Sequence, residues 1–428
     1  MKQVEVNIEE RIIIAETLYQ PSAATKRSLA IAFIVCYISI MFSGISSMLM
    51  SVYLPVAVKD LLGSISDERM NYISAYINSI FIFGSMFGGF AWGFVCDKIG
   101  RSKAVIFSTA LYALFTALTA FSSSWLIVGV YRFITGFGVG GVIVTTNILI
   151  AEIWPEKKRA IALGIVSAAM PVGFIVAGAL NNLVPEWRNA FLAGIIPLIT
   201  AVIAMFMLAE PESWKQANHA QDNNNAGKQI FSGGYRKNLV SGSIIFGAML
   251  IGLWAIFSWA PTWVQSITPD NNKADELRGI TMMILALSGL IGSVVSGWIV
   301  NRIGMRKTMM LCFAAGFIMT AVVFKLNSSI TTITLIEMGI MAFFFGISQG
   351  ALSVYIPALF PTKVRASATG FCFNVGRLFT ATVVFFIGAL VSFLGGYGNA
   401  IFIFSFIFII GLITTFRVPA LKGEMTKQ

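Results

Sequence analysis

Two stretches of the chain carry the same polar loop. Gly93-Phe-Val-Cys-Asp97-Lys98-Ile-Gly100-Arg101-Ser-Lys103 returns 204 residues later as Gly297-Trp-Ile-Val-Asn301-Arg302-Ile-Gly304-Met-Arg306-Lys307. Each copy follows one long apolar segment and precedes another. In a chain of 428 residues this spacing makes the protein two copies of one unit. Repeated halves around a central site are the usual architecture of secondary transporters.

The surrounding sequence is membrane-like. Only 11% of residues are charged and the mean hydropathy is +0.81, against about 25% charged in a soluble domain. Twelve apolar segments are long enough to span a bilayer, roughly 28–58, 72–96, 104–121, 124–151, 160–184, 190–209, 238–264, 278–300, 308–325, 331–359, 366–394 and 398–417. No alternating ten-residue strand pattern is present. The expected fold is an all-α membrane protein of twelve transmembrane helices in two six-helix bundles, because open backbone groups have no partners in lipid.

Charge placement sets the expected orientation. With the N-terminus in the cytoplasm, 22 of the 30 lysines and arginines fall on the cytoplasmic side. Six fall outside (Lys59, Arg69, Arg188, Lys273, Arg278, Lys325), and Arg132 and Arg377 lie within segments. The positive-inside rule then puts both termini in the cytoplasm, with a bacterial inner (plasma) membrane as the expected location. The net charge of +11 follows from this bias. It points to anionic lipid on the inner leaflet and not to nucleic acid. The N-terminus lacks a cleavable signal pattern. Residues 7–20 read either as a short surface helix or as a frayed tail.

Four cysteines (Cys36, Cys96, Cys312, Cys372) show no disulfide or metal spacing. The single histidine, His219, lies in the polar stretch at 215–236, which reads as a linker. The expected divisions are a tail at 1–27, bundles at 28–214 and 237–418 on either side of the linker, and a tail at 419–428. A second repeat supports the duplication. Pro155-Glu-Lys-Lys-Arg159-Ala160-Ile-Ala162-Leu-Gly164 aligns at an offset of 206 with Pro361-Thr-Lys-Val-Arg365-Ala366-Ser-Ala368-Thr-Gly370.

These motifs resemble the major facilitator superfamily. The loop beginning at Gly93 is similar to that family's most diagnostic signature, and Arg132-Phe-Ile-Thr-Gly136-Phe-Gly138-Val-Gly140-Gly141 is similar to its second. Glu152-x-x-Pro155-x-x-x-Arg159, Trp187-Arg188 and Pro211-Glu212-Ser213 resemble the branch of sugar porters, aromatic-acid and sialic-acid symporters and organic-ion carriers. The resemblance implies a transporter with alternating access, no cofactor, a small-molecule substrate and, in symporters, a proton. A monomer is expected.

The residues themselves carry two hypotheses. Asp97, Arg101, Glu152 and Arg159, with Arg306 and Arg365 in the second half, read as a cytoplasmic ion-pair gate that breaks as the halves rock. Asn301 and Ala358 replace the second half's acids, so the gate is lopsided. Alternatively, these charges only set topology. The second hypothesis concerns the membrane interior, where ionisable groups are rare and informative. Arg132 and Arg377 each need an anionic or strongly polar partner, and Glu337 is the one acid well inside a segment. An anionic substrate supplies the missing charge, or else backbone carbonyls satisfy the arginines.

Other candidate pocket residues are Ser46, Tyr53, Asn78, Trp254, Gln349, Tyr355 and Asn374, whose polar tips suit a half-apolar site. Trp259-Ala-Pro261-Thr-Trp263 marks an expected break, and outer gate, in the seventh segment. The helix 1 stretch Ser43-Gly44-Ile45-Ser46-Ser47 stands where the resembled symporters carry Asp-Gly-x-Asp. Glu337 is therefore the proton-coupling candidate, with a fixed pairing to Arg132 as the other reading. The absence of clustered His, Cys or acids argues against an enzyme, and no phosphate-binding loop points to ATP drive. The expected cargo is a small organic anion such as a carboxylate or acidic sugar. A neutral sugar or polyol uniporter and a transport-inactive sensor are the alternatives.

Overall fold

The computed structural model describes residues 23–63, 66–211, 235–360 and 365–418. It contains twelve helices of membrane-spanning length and apolarity among the described residues. In chain order these are α1 (Ala23–Leu62), α2 (Asp67–Ile99), α3 (Arg101–Thr119), α4 (Trp125–Ile153), α5 (Glu156–Leu183) and α6 (Trp187–Met207, with a 3-10 turn at Leu192–Gly194). They continue as α7 (Arg236–Ile267), α8 (Asn271–Ile303), α9 (Met305–Leu326), α10 (Thr332–Ala358), α11 (Arg365–Leu394) and α12 (Tyr397–Arg417, interrupted at Ser405). The described residues contain no strand. Residues 1–22 and 419–428, the surface-helix reading of 7–20, His219 and nearly all of the 215–236 linker lie outside the described residues; the last five residues of the expected tail at 1–27 are the start of α1.

Two expectations are corrected. The seventh segment does not break, since α7 runs on through Pro261; an interior proline removes one hydrogen bond without having to end a helix packed on its neighbours. Trp259 and Trp263 are buried in it. The eighth helix begins at Asn271 and not near 278, because Asp270 caps it by accepting from the Asn272 (3.0 Å) and Lys273 (3.4 Å) amides. Arg278 is thereby moved from an outer loop to about two turns inside α8.

The duplication is visible in the packing. In the first half α2 and α3 lie on α4, and α1 lies on α5; in the second, α8 and α9 lie on α10, and α7 lies on α11. Glycines make the central pairs close. A β-carbon on Gly136 or Gly140 of α4 would run into the backbone of Phe81 or Ser85 of α2. Gly346 of α10 meets Gly289 of α8 in the same way. Lipid gives helices no hydrophobic drive to associate, so close backbone approach supplies the dispersion contacts instead.

The repeated loops owe their shape to Gly100 (φ 110°) and Gly304 (φ 88°), in backbone conformations that side chains disfavour. Gly100 has no side chain with which to cap α3. Glu210, just past α6, does so, accepting from the Ser102 amide (3.1 Å) and the Lys103 amide (2.9 Å). Asp97, on the last turn of α2, pairs with Arg101 at 3.0 Å. Glu210→Ala is expected to destabilise the protein by about 1 kcal/mol, as loss of a side-chain cap does. Thermal unfolding in detergent would show this, and an unchanged midpoint would contradict it.

The halves meet through two equivalent seams, α2 with α11 and α5 with α8, together with α1 against α7. The face where α1 begins and α12 ends is termed the terminal face. The cross-half contacts lie mostly toward the opposite face. Tyr397 donates to the Asn71 amide oxygen, Tyr76 stacks on Phe385 at 4.9 Å, and Phe174 meets Phe257 at 5.9 Å. Asn181 donates to the Asp275 carbonyl at 2.5 Å. Gly178 and Gly279 face each other so closely that a β-carbon on either would come within 2.7 Å of the other's carbonyl oxygen. The halves are therefore joined away from the termini.

Candidate functional site

The acids and bases of the repeated loop gather as expected, but within one half. Arg101 bridges Asp97 (3.0 Å) and Glu152 (2.8 Å), and its guanidinium also donates to the Cys96 carbonyl at 3.1 Å. The cluster ties the terminal-face ends of α2, α3 and α4 together. In the second half Arg306, one position past the residue equivalent to Arg101, donates to the carbonyls of Thr415 (3.2 Å) and Phe416 at the end of α12 and lies over the Phe416 ring. Among the described residues, carboxylates serve Arg101 and helix-end carbonyls serve Arg306. The side chains of Arg159 and Arg365 lie outside the described residues.

Arg132 is 1% exposed; its two terminal nitrogens find partners locally, while its Nε stays buried without one among the described residues. The terminal nitrogens donate to the carbonyls of Ser46 (2.7 Å) and Ser47 (3.3 Å) of α1, and the guanidinium lies 4.1 Å from the centre of the Phe81 ring. The reading in which backbone satisfies the arginine is the one this geometry supports. Arg132 ties α4 to α1, and Ser46 contributes its carbonyl to that tie. Glu337 does not pair with Arg132. It accepts from Asn327 at 2.7 Å, joining α10 to the end of α9. Tyr53 is likewise engaged, its hydroxyl donating toward the Leu180 (2.9 Å) and Val184 (2.7 Å) carbonyls where α5 runs out of intrahelical partners.

Arg377 is different. It lies on α11 about twelve residues from the terminal face, roughly 18 Å at 1.5 Å per residue, close to the middle of a hydrocarbon core about 30 Å thick. Its neighbour across the seam is Gly89 of α2. A β-carbon built there would come within 2.9 Å of the Arg377 guanidinium and 3.2 Å of the Asn374 amide oxygen. Asn374 donates to the Gly370 carbonyl at 3.0 Å, which fixes its amide orientation and leaves its oxygen buried without a partner. No hydrogen bond or ion pair engages the Arg377 guanidinium among the described residues. Amide nitrogens of Asn78 in α2 and Gln349 in α10 are also buried without partners there. Trp254 of α7 sits 6.3 Å from Phe81, bridging the halves above this level, and Tyr355 is buried in α10.

Sequence reasoning missed a second buried arginine. Arg278, 2% exposed, donates to Gln265 (2.5 Å) and pairs with Asp275 (2.9 Å) beside the Asn181 contact. The signal was available in Asp270, a good capping residue that extends the eighth helix toward the N-terminus. Gly89 was missed as well, since only the packing shows what a glycine faces.

Among known proteins, the Major Facilitator Superfamily profile matches residues 36–381. A cis,cis-muconate transport protein of Acinetobacter baylyi is 30% identical over 378 residues, covering 85% of this chain and 87% of that one. A gentisate transporter of Corynebacterium glutamicum is 26% identical over 314 residues, covering 71% and 69%. The xylose transporter XylE from E. coli, in an inward-open conformation, superposes with a TM-score of 0.76 at 16% identity, covering 92% of this chain and 97% of that one; at that identity it shows the fold alone. The chain is a multi-pass membrane transporter, not an enzyme, and belongs to the Major Facilitator Superfamily.

Proposed function

We propose that the protein carries a small organic anion across the membrane by alternating access, with Arg377 as the group that binds the anion. The observation that carries this is the Arg377 guanidinium itself, near mid-membrane in the seam and without a protein partner among the described residues. An arginine stays charged, and an unmatched charge at that depth is costly. A carboxylate presented between α2 and α11 would match it with a bidentate, charge-assisted pair. Gly89 keeps the approach open, and Asn78, Gln349 and Asn374 offer hydrogen-bonding atoms not used within the protein. The names of the relatives, for cis,cis-muconate and gentisate, support an organic acid.

The terminal face is proposed to be cytoplasmic. Moving Arg278 into α8 leaves 22 basic residues on that side and five on the other, a bias that still follows the positive-inside rule. The contacts away from the termini then close the outer side, so this conformation admits substrate from the cytoplasm. The two halves, 28–214 and 237–418, are the rocking bodies. Glu337 is the coupling candidate, held by Asn327.

Proteoliposomes test the reading. Labelled cis,cis-muconate and gentisate are expected to accumulate and xylose is not. A pH gradient, acid outside, is expected to increase uptake, and Glu337→Gln to remove that increase. Uptake of xylose alone would overturn the anion reading. Anion uptake indifferent to the gradient would remove the coupling role of Glu337.

A further inference from the structure

The face opposite the termini holds a cavity of about 1120 Å³, at or above the upper end of ligand-sized pockets. Both halves wall it. Glu68, Asn71 and Tyr72 come from α2, Thr262 and Trp263 from α7, and Tyr397 from α12. The Asn71–Tyr397 hydrogen bond that joins the halves lies within this wall. Thr262 is 6% exposed, and its hydroxyl oxygen is buried without a partner among the described residues. Tyr397 stacks on Trp259 at 5.4 Å, and Trp263 packs edge-on against Phe324 at 4.8 Å, so the aromatic wall is held in place from behind.

The charge of this cavity differs from that of the Arg377 site. Among the described residues Glu68 is the one charged side chain in its wall; Lys325 and Arg278 stand behind the wall, donating to the lining Asn399 (2.8 Å) and Gln265 (2.5 Å). A carboxylate with aromatic faces and an acceptor hydroxyl suits an ammonium-bearing ring compound. The ring finds the aromatic walls, the cation finds Glu68 and the π faces, and a ligand N–H finds the Thr262 oxygen. An organic anion finds a like charge.

We propose that this cavity is a second ligand site, for ring-bearing organic cations, whose occupation holds the halves together on this face and inhibits transport. A ligand gripped by walls from both halves favours the state in which those walls are together. The inhibitory consequence rests on the rocking motion proposed above; the chemistry of the site does not.

The test uses three indole compounds of similar size: tryptamine, indole-3-acetate and tryptophol. In calorimetry on the purified full-length protein, tryptamine is expected to bind at least about tenfold more tightly than the other two, the rough worth of a favourable charged contact. Glu68→Gln, at an exposed position that should not disturb folding, is expected to erase that preference. Thr262→Trp, which puts an indole against the aromatic wall where the ligand ring would lie and removes the Thr262 oxygen, is expected to abolish tryptamine binding, whereas Arg377→Gln leaves it intact. Spin labels at Lys59→Cys on α1 and Lys273→Cys on α8, one in each half, are expected to shift to shorter distances with saturating tryptamine. Equal or tighter binding of indole-3-acetate, full tryptamine preference in Glu68→Gln, or label distances indifferent to tryptamine would each overturn the proposal. Failure of the organic-anion reading would appear separately, as anion uptake that survives Arg377→Gln.

Discussion

Arg377→Gln is expected to reduce binding and uptake of organic anions by about two to three orders of magnitude while leaving the protein folded. The size follows from removing one member of a buried, hydrogen-bonded charge pair, which costs roughly 3–5 kcal/mol, at about 1.4 kcal/mol per tenfold change. The fold should survive because no ion pair or hydrogen bond within the protein engages this guanidinium among the described residues. Removing an unmatched charge from mid-membrane should, if anything, raise the melting temperature in the absence of substrate. Arg377→Lys keeps the charge but loses the planar fork, so it should fall between the two. Gly89→Ala is a control from the other side of the seam. Its methyl would press on the Arg377 guanidinium and should weaken anion binding without touching the charge. Isothermal titration with cis,cis-muconate, paired with thermal unfolding, separates these outcomes. If Arg377→Gln binds the anion normally, the substrate is not held by this arginine.

The contrast with Arg132 shows what sequence carries and what it does not. Both arginines are deep in apolar segments, and composition alone treats them alike. One faces carbonyls of Ser46 and Ser47 and a phenylalanine ring inside its own half; the other faces a glycine of the opposite half. That difference depends on helix rotation and on which helices form the seam, neither of which is written in hydropathy. The duplication, the twelve spans and the Asp97–Arg101–Glu152 cluster were legible because local spacing and repetition encode them. Gly100 stood in the repeated loop on the page, but Glu210, more than a hundred residues away and capping the next helix, gave no such signal. Tyr53 and Glu337 resembled pocket residues by type, but the Leu180 and Val184 carbonyls at the end of α5 and the Asn327 amide engage them. A polar tip in a membrane segment has to find a partner, and the sequence does not say whether that partner is ligand or protein.

Cross-linking Asn181→Cys to Asp275→Cys with a short bifunctional thiol reagent is expected to cut transport to the background of empty liposomes. These positions join α5 to α8 on the face opposite the termini, where Asn181 reaches the Asp275 backbone at 2.5 Å. One turn away, Gly178 and Gly279 bring the two backbones into contact, and Arg278 anchors Asp275 and Gln265 behind them. The native seam is held by backbone packing and the Asn181–Asp275 hydrogen bond, the latter with a net worth of about 1 kcal/mol, so thermal motion and substrate binding can open it. A covalent link cannot open, and a transporter that must expose its site on both sides then stalls in one state. All four native cysteines are buried, which confines the reaction to the introduced pair, and a reductant-cleavable reagent should restore uptake. Anion binding from the terminal face should persist in the linked protein, because the Arg377 site lies deeper than the link. Retained binding with lost uptake is the signature of a blocked conformational step, and no loss of the site itself produces it. Transport at the unlinked rate would mean that this seam does not open in the cycle, and alternating access about the α5/α8 contact would fall with it.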